Sequence, residues 1–205
     1  MGITLIDLLD YIGTFAFAIS GIRLSATKKF DVFGAFVVGF VTAVGGGTLR
    51  DLLLGITPFW MVKSSYVIIT FIALLTTIVL KKWLVKLNYT FFLFDAIGLA
   101  LFTVVGLERS LAAGFPMWVS IIMGCITGAA GGVFRDVLIN EVPLIFRKEI
   151  YAMACVGGGI MHWIAGCIGL PESATQLLAA ATVFLIRIIC VHYGVSLPHI
   201  NPEKE

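Results

Sequence analysis

Two short blocks in the sequence combine glycines with an adjacent arginine and aspartate, and each lies in an otherwise apolar stretch. The first reads GGGTLRD over residues 45–51, and the second reads GAAGGVFRD over residues 128–136. A charged side chain costs at least about 2.5 kcal/mol at the centre of a transmembrane helix, so charges kept in such segments are functional by default. The leading candidates for functional residues are therefore Arg50, Asp51, Arg135 and Asp136.

The glycines of both blocks predict interrupted helices, since each glycine weakens a helix by roughly 1 kcal/mol relative to alanine. A break frees backbone carbonyls, which attract cations, and such backbone persists in lipid only where it is buried or faces water. Thr48 and Asp51 also have the spacing of a capping box, whereas Val133 replaces the threonine in the second block. The alternative is that the glycines merely allow close helix packing. The glycines concerned are Gly45, Gly46, Gly47, Gly131 and Gly132.

Two further aspartates are candidate partners of the arginines. Asp10 begins the first apolar span, on the same membrane side as the end of the second span, where Arg50 lies. We hypothesise that Asp10 and Arg50 form an ion pair. Asp95 and Arg135 occupy the same two positions in the second half of the chain, which repeats the first in inverted orientation. They would then meet on the opposite side of the membrane, which gives one charged cluster near each mouth of a central path.

Other polar residues within apolar stretches are interpreted as structural. Arg187 is a lone charge in the last span, either structural or lipid-facing, and His162 is interpreted as a core residue. The four cysteines lack any close metal-type spacing and are interpreted as small core residues. We find no metal cluster and no nucleophile with a plausible base partner, so the sequence argues against an enzyme.

Composition defines the environment in which these residues must work. Of 205 residues, 60% are hydrophobic and only 13% are charged, and the mean hydropathy is +1.05. These values are typical of an integral membrane protein. The net charge of +2 is too small to indicate a nucleic-acid partner. No cleavable-signal pattern is present, because Asp7 and Asp10 stand where a basic region would be expected.

Apolar runs bounded by charged or turn residues predict seven membrane spans. A helix needs roughly 20 mostly apolar residues to cross a bilayer, and the third and fourth runs reach that length only with their flanks. The predicted spans cover residues 5–22, 32–54, 67–80, 91–107, 117–139, 151–168 and 174–192.

A constant shift of 85 residues, the separation of Asp10 and Asp95, aligns the two halves of the chain without a gap. Because each half contains three spans, an odd number, the second must enter the membrane from the side opposite the first. Inverted repeats of this kind are common in transporters, with the solute site near the midplane. The positions that match across the shift include Gly13 and Gly98, Phe17 and Phe102, Gly21 and Gly106, Gly39 and Gly124, Thr42 and Thr127, Arg50 and Arg135, Lys63 and Lys148, and Tyr66 and Tyr151.

The predicted fold class is an all-α integral membrane protein with two inverted three-helix repeats, one extra helix, and kinked second and fifth helices. The repeats occupy residues 1–88 and 89–170, the seventh helix residues 171–194, and a cytoplasmic tail residues 195–205. By the positive-inside rule the N-terminus lies outside and the C-terminus in the cytoplasm of a cell whose plasma or inner membrane holds the protein. The basic residues that set this orientation are Arg23, Lys28, Lys29, Lys81, Lys82, Lys86, Arg147 and Lys148.

The paired glycine-arginine blocks, in a 3+3+1 arrangement that extends to about Tyr193, resemble the trimeric intracellular cation channel (TRIC) family, specifically its prokaryotic members. The same bacterial group has also been described as glycine-transporter-like. The resemblance implies a homotrimer in which each protomer holds its own pore for monovalent cations, potassium above all. It also implies hinges at the five glycines of the blocks and a polar pore neighbourhood around the two Arg-Asp pairs.

Two functions follow as expectations. The first is a passive potassium channel, in which Thr42, Thr127 and the carbonyls of broken helices offer oxygens to a partly dehydrated cation. The alternative is a secondary transporter of glycine or another small amino acid, whose half-helix ends would bind its charged groups. The two differ in whether the path is ever open to both sides at once. The expected partners are a monovalent cation, membrane lipid and further copies of the chain, and no cofactor other than bound lipid is expected.

Overall fold

The computed structural model describes residues 4–80, 89–146 and 150–195, and within these ranges every regular element is helical. The basic residues Lys81, Lys82, Lys86, Arg147 and Lys148, together with the predicted tail beyond residue 195, lie outside the described residues. Eight α-helices and one short 3-10 turn follow one another along the described chain. They are α1 Leu5–Thr27, α2 Val32–Leu53, α3 Phe59–Val62, α4 Ser65–Val79, α5 Tyr89–Ala112, α6 Met117–Leu138, the turn Leu144–Phe146, α7 Ala152–Cys167 and α8 Glu172–Tyr193.

The first two long helices begin where the sequence offers a side-chain cap. At α1, Asp7 N donates to Thr4 Oγ1 (3.2 Å) and Thr4 N donates to Asp7 Oδ2 (3.3 Å), which completes a capping box. At α2, Gly34 N donates to Asp31 Oδ1 (2.7 Å). These bonds satisfy N–H groups that a helix start otherwise leaves without a partner.

Five of the described helices are long and apolar enough to cross a membrane: α1, α2, α5, α6 and α8. Helices α4 and α7 are apolar but have only 15 and 16 residues. Because a helix rises 1.5 Å per residue, they fall short of the roughly 30 Å hydrocarbon core. The multi-pass, all-helical class is therefore confirmed, whereas spanning by α4 and α7 stays a prediction.

The predicted helix breaks are wrong. Helix α2 continues as regular α-helix through residues 45–47, and α6 does so through residues 128–132. Thr48 caps nothing, because its hydroxyl donates to the carbonyl of Val44 one turn earlier in the same helix (2.7 Å). The alternative, close packing, is what the glycines provide, and this packing outweighs their low helix propensity. A kink without a break stays a prediction.

Helices α2 and α6 cross in direct backbone contact. A Cβ atom added to Gly46 would collide with the carbonyl oxygen of Thr127, and one added to Gly131 would collide with that of Thr42. Since the contacts pair an earlier residue of one helix with a later residue of the other, the two helices run antiparallel. Arg50 and Arg135, near their C-terminal ends, therefore lie at opposite ends of the crossing.

Helices α1 and α5 pack beside this crossing through a second set of matched contacts. Gly13 accommodates the ring of Phe102, Gly98 accommodates the ring of Phe17, and the two rings meet edge-on with centroids 5.2 Å apart. Both phenylalanines are buried. Helices α1, α2, α5 and α6 thus form one core, and α8 packs on its outside against α5 and α7.

Candidate functional site

The second charged cluster consists of Arg135, Asp136, Asp95 and Tyr151, and the structure brings all four together. Arg135 Nη1 donates to Asp95 Oδ1 at 2.5 Å, and Arg135 Nε donates to Asp136 Oδ1 at 2.8 Å. The phenol of Tyr151 donates to the same Asp95 oxygen at 3.4 Å. The predicted pairing of Asp95 with Arg135 is thus present, and it joins α5 to α6.

The guanidinium of Arg135 is completely buried. Its Nη1 also donates to Ser20 Oγ of α1 at 2.8 Å, and its Cζ lies 4.7 Å from the ring centroid of Phe91. One nitrogen, Nη2, and the Asp95 Oδ2 atom are buried without a hydrogen-bond partner. A buried charge pair is costly to break, because removal of one partner leaves the other uncompensated.

The first charged cluster consists of Arg50, Asp51, Asp10 and Tyr66, and its connections differ. Arg50 Nη2 lies 2.7 Å from Asp51 Oδ1, and Arg50 Nε donates to the same oxygen at 2.8 Å. Asp10 Oδ2 instead accepts from the phenol of Tyr66 at 2.7 Å. The predicted ion pair between Asp10 and Arg50 is therefore not formed: the carboxylate of Asp10 bonds to a phenol on α4, and the guanidinium of Arg50 pairs with Asp51.

Each aspartate of an Arg-Asp pair has a second structural task. Asp51 Oδ2 accepts from Phe59 N at 2.8 Å, and Asp136 Oδ2 accepts from Leu144 N at 3.0 Å. Both acceptors bind the start of the short helical turn that follows their own helix. The capping role that the sequence assigned to Asp51 within α2 is therefore wrong, since Asp51 caps the next element along the chain.

A cavity of about 210 Å³ opens at the first charged cluster. Arg50, Phe59 and Tyr66 line it from within the bundle, and Lys63 and Arg109 line it from the rim. Asp7 offsets part of the positive charge at the rim, because its Oδ1 lies 3.8 Å from Lys63 Nζ and 3.3 Å from Arg109 Nη2. The cavity therefore lies against the buried Arg50 and is large enough for a small ion or zwitterion.

The two threonines proposed as ion ligands lie at the crossing of α2 and α6. Thr42 Oγ1 donates to Val38 O (2.6 Å), and Thr127 Oγ1 donates to Met123 O (2.7 Å), so both hydroxyl protons are engaged within their own helices. Each hydroxyl oxygen keeps lone pairs that can accept a proton donor or bind a cation. Both side chains are fully buried.

The remaining block glycines make room for side chains. A Cβ on Gly45 would contact the ring of Phe134, one on Gly47 would contact the ring of Phe59, and one on Gly132 would approach the phenol of Tyr151. Gly46 and Gly131 alone among the five face the backbone of the partner helix. The five predicted hinge glycines thus fall into two groups, of which one forms the crossing.

Sequence reasoning missed three residues of the clusters. Tyr66 and Tyr151 were visible as a matched pair in the repeat, and their phenols are what the two aspartates contact. Ser20 gave no signal, because a serine in an apolar span is ordinary and its match at the 85-residue shift is Val105. Its contact with Arg135 depends on how α1 packs against α6.

Two isolated polar residues prove to have partners. Arg187 of α8 is fully buried rather than lipid-facing, with its Cζ 4.7 Å from the ring centroid of Tyr151 and 5.3 Å from that of Phe92. His162 Nε2 lies 2.8 Å from Glu108 Oε1, so the core histidine is paired with a carboxylate. Within the described ranges no group of three metal-ligating side chains comes together.

Apolar helices that cross at glycines, with a buried Arg-Asp cluster at each end, define a multi-pass membrane protein of the kind that moves ions or small solutes. The family model described as "Glycine transporter" matches the chain twice, at residues 7–82 and 92–166. Each match contains three of the seven helices that the sequence predicted as spans.

Similar proteins and a solved structure agree with this class. A UPF0126 membrane protein of Vibrio cholerae is 41% identical over 197 residues, which cover 95% of this chain and 82% of the relative. The inner membrane protein YadS of Escherichia coli K12 is 38% identical, with 93% of each chain covered. The TRIC channel orthologue from Rhodobacter sphaeroides is 35% identical, with a TM-score of 0.88 over 94% of this chain and all of that one.

The chain therefore belongs to the TRIC family, in the bacterial group whose family model is described as "Glycine transporter". Its structural neighbours are channels, a family without enzymatic activity. With relatives named as membrane and inner membrane proteins, it is a multi-pass protein of the inner membrane.

Proposed function

We propose that this protein is a potassium-permeable cation channel, with one conduction path within each protomer of a homotrimer. The observation that carries the proposal is the likeness to the Rhodobacter sphaeroides structure over nearly the whole chain. The two charged clusters lie where such a path would begin and end, one at each end of the crossing of α2 and α6.

The path runs between α2 and α6, and the crossing closes it. Gly46 and Gly131 hold the two backbones together, so conduction requires these helices to move apart or to kink at the glycines. Separation exposes the carbonyl oxygens of Thr42 and Thr127, together with their hydroxyls, to the path. Oxygens of this kind replace water around a partly dehydrated cation.

The Arg-Asp pairs adjust the electrostatic potential at both ends. A guanidinium without a neighbouring carboxylate would repel a cation at the entrance, so Asp51 and Asp136 reduce that barrier. In a membrane the same arginines respond to voltage, since one elementary charge moved through 100 mV changes the free energy by about 2.3 kcal/mol. A voltage-dependent open probability follows if either arginine moves within the field.

Transport of glycine or a similar zwitterion is the second candidate, and one observation favours it. The residues that line the cavity beside Arg50 include the cations Lys63 and Arg109 and the carboxylate of Asp51, which suits the opposite charges of an amino acid. The description of the matching family model agrees with this chemistry.

Planar-bilayer recording separates these functions. We would reconstitute the purified protein under a potassium gradient and record currents before and after adding glycine, for the wild type and for Arg50→Ala and Arg135→Ala. We expect unitary currents that reverse near the potassium equilibrium potential, are unaffected by glycine and change in both variants. Absence of unitary current, together with saturable uptake of labelled glycine into liposomes, would overturn the channel and establish the transporter.

A further inference from the structure

The two arginines occupy equivalent positions in the repeat, yet the structure holds them to very different degrees. Arg135 of α6 bonds to Asp95 on α5 and to Ser20 on α1, so it ties three helices together. Arg50 of α2 has its carboxylate partner in Asp51, the next residue of the same helix. The pair also contacts α3, since Arg50 Cζ lies 5.5 Å from the ring centroid of Phe59 and Asp51 Oδ2 accepts from Phe59 N, but no ion pair described for Arg50 joins α2 to another helix.

The sequence itself contains this difference. The position that corresponds to Ser20 in the second half is Val105, a buried valine without any hydrogen-bonding group in its side chain. Arg135 thus has a hydroxyl on α1 to which it donates, and the matching position on α5 offers no such acceptor to Arg50.

A surface ion pair adds to the difference. Lys28, just after α1, bonds to Glu141, just after α6, with Nζ 2.6 Å from Oε1. The corresponding positions in the other half are Ala113 and Ile56, which carry no charge. At the Arg50 end, the carboxylate of Asp7 pairs with Lys63 and Arg109, and neither of these cations lies on α2.

The extra helix strengthens the same end. Arg187 of α8 packs over the ring of Tyr151, whose phenol contacts Asp95. Tyr66, the counterpart of Tyr151, packs instead against Tyr11 and Phe59, with ring centroids 5.5 and 4.3 Å apart. Helix α8 therefore braces the second charged cluster and leaves the first to aromatic packing and a cavity.

We infer that Ser20 is a positioning residue that decides which end of the path opens: it holds Arg135 in a fixed latch, whereas Arg50, whose repeat has Val105 at the position that matches Ser20, moves as the gate. This inference rests on the proposed function in one respect, namely that opening separates α2 from α6. It requires the end of α2 to separate from its neighbours more often than the end of α6.

Hydrogen-deuterium exchange measures that separation without any need for ion flow. We would compare backbone amides of residues 46–54 with those of residues 131–139 in the full chain in lipid nanodiscs, each corrected for its intrinsic rate. We expect the first segment to exchange about three to ten times faster, the range that interhelical and charged hydrogen bonds imply. Equal protection, or slower exchange at residues 46–54, would overturn the inference.

Three variants test the two positions. Ser20→Ala should raise exchange of residues 131–139 about threefold or more and leave residues 46–54 unchanged. Ser120→Ala is the matched control, because Ser120 is also buried but its hydroxyl has no hydrogen-bond partner. Val105→Thr replaces a methyl group by a hydroxyl at the position that matches Ser20, and should slow exchange of residues 46–54. An effect of Ser20→Ala no larger than that of Ser120→Ala would refute the role of Ser20, even if Val105→Thr did not fold.

The exchange experiments and the current recordings test the two proposals separately. Asymmetric exchange with the expected response to Ser20→Ala, but without potassium current, would keep the latch and reject the channel. Unitary potassium currents with symmetric exchange would keep the channel and reject the latch.

Discussion

At the scale of single residues, the two Arg-Asp pairs show why equal motifs need not have equal environments. Neighbouring helical residues do not normally face each other, yet both pairs make the same bond near the end of a helix, from arginine Nε to aspartate Oδ1 at 2.8 Å. The motif thus neutralises its own charge. What differs is the rest of each environment: Arg135 bonds to Asp95 and Ser20 on other helices, whereas Arg50 contacts the ring of Phe59.

The two arginines should therefore differ in how much they stabilise the protein. Arg135→Ala leaves Asp95 and Asp136 buried without their cation, and we expect a loss of about 3–5 kcal/mol. Arg50→Ala removes the partner of Asp51 alone, beside a cavity that water can enter, so its loss should be smaller. Thermal unfolding in detergent, followed by a thiol-reactive dye, measures both. Equal melting temperatures for the two variants would contradict this ranking.

The sequence predicted one of the two cluster geometries. The pairing of Asp95 with Arg135 followed from the repeat and from the cost of buried charge. The matching pair of Asp10 with Arg50 is absent, because Arg50 pairs with Asp51 while Asp10 bonds to Tyr66, and a sequence repeat does not show such a difference in packing. Ser20 could not have been found, because its role depends on the packing of α1 against α6.

At the scale of the helices, the glycines of α2 and α6 serve close packing and do not interrupt the helices. Helix positions were predictable from apolar runs and charged boundaries, and each predicted span coincides with a helix of the structure. The predicted break relied on propensity alone, about 1 kcal/mol per glycine. In the structure, the contact of α2 with α6 keeps both helices regular through their glycines.

Substitution of the crossing glycines should test this packing directly. Gly46→Ala and Gly131→Ala would place a methyl group against the backbone of the opposite helix, so we expect each to destabilise the protein by about 1–3 kcal/mol. Gly166→Ala is the control, because a Cβ there meets nothing within 4 Å and alanine favours the helix. The measurement is the melting temperature in detergent. Tolerance of Gly46→Ala equal to that of Gly166→Ala would show that α2 and α6 are not in tight contact.

At the scale of the whole molecule, apolar surface remains exposed around the crossing. Two apolar grooves share the side chains of Leu49 and Phe134, one on the side of α2 and one on the side of α6. Lipid or further copies of the chain can cover such grooves. The composition predicted the membrane but could not predict which of these two partners lies on which face.

We expect three copies of the 22.2 kDa chain in the detergent-solubilised particle, in agreement with the trimeric channel orthologue of Rhodobacter sphaeroides. Exposed apolar grooves are typical of surfaces that bind other subunits or lipid. Light scattering coupled to size exclusion, with the detergent mass subtracted, gives the copy number. A particle that holds one or two chains would contradict the trimer.

The orientation in the membrane gives the last prediction. Lys28 and Lys29 lie between α1 and α2, and by the positive-inside rule this connection is cytoplasmic. A fluorescent protein fused after Glu205 should then fluoresce, whereas an alkaline phosphatase fused there should be inactive. The same two fusions placed at the connection after α2, near Gly55, serve as controls and should give the reverse pattern. Active phosphatase at the C-terminus would contradict the assigned topology.

The way Arg135 is held also has a consequence for biosynthesis. Its partners Ser20 and Asp95 belong to α1 and α5, and both helices leave the ribosome before α6. Because chains are made from the N-terminus, Arg135 enters a membrane that already contains Asp95. Arg50 enters earlier, with its carboxylate on the next residue. A rearranged gene that encoded α6 ahead of α1 and α5 would therefore insert Arg135 with Asp136 but without Asp95 and Ser20.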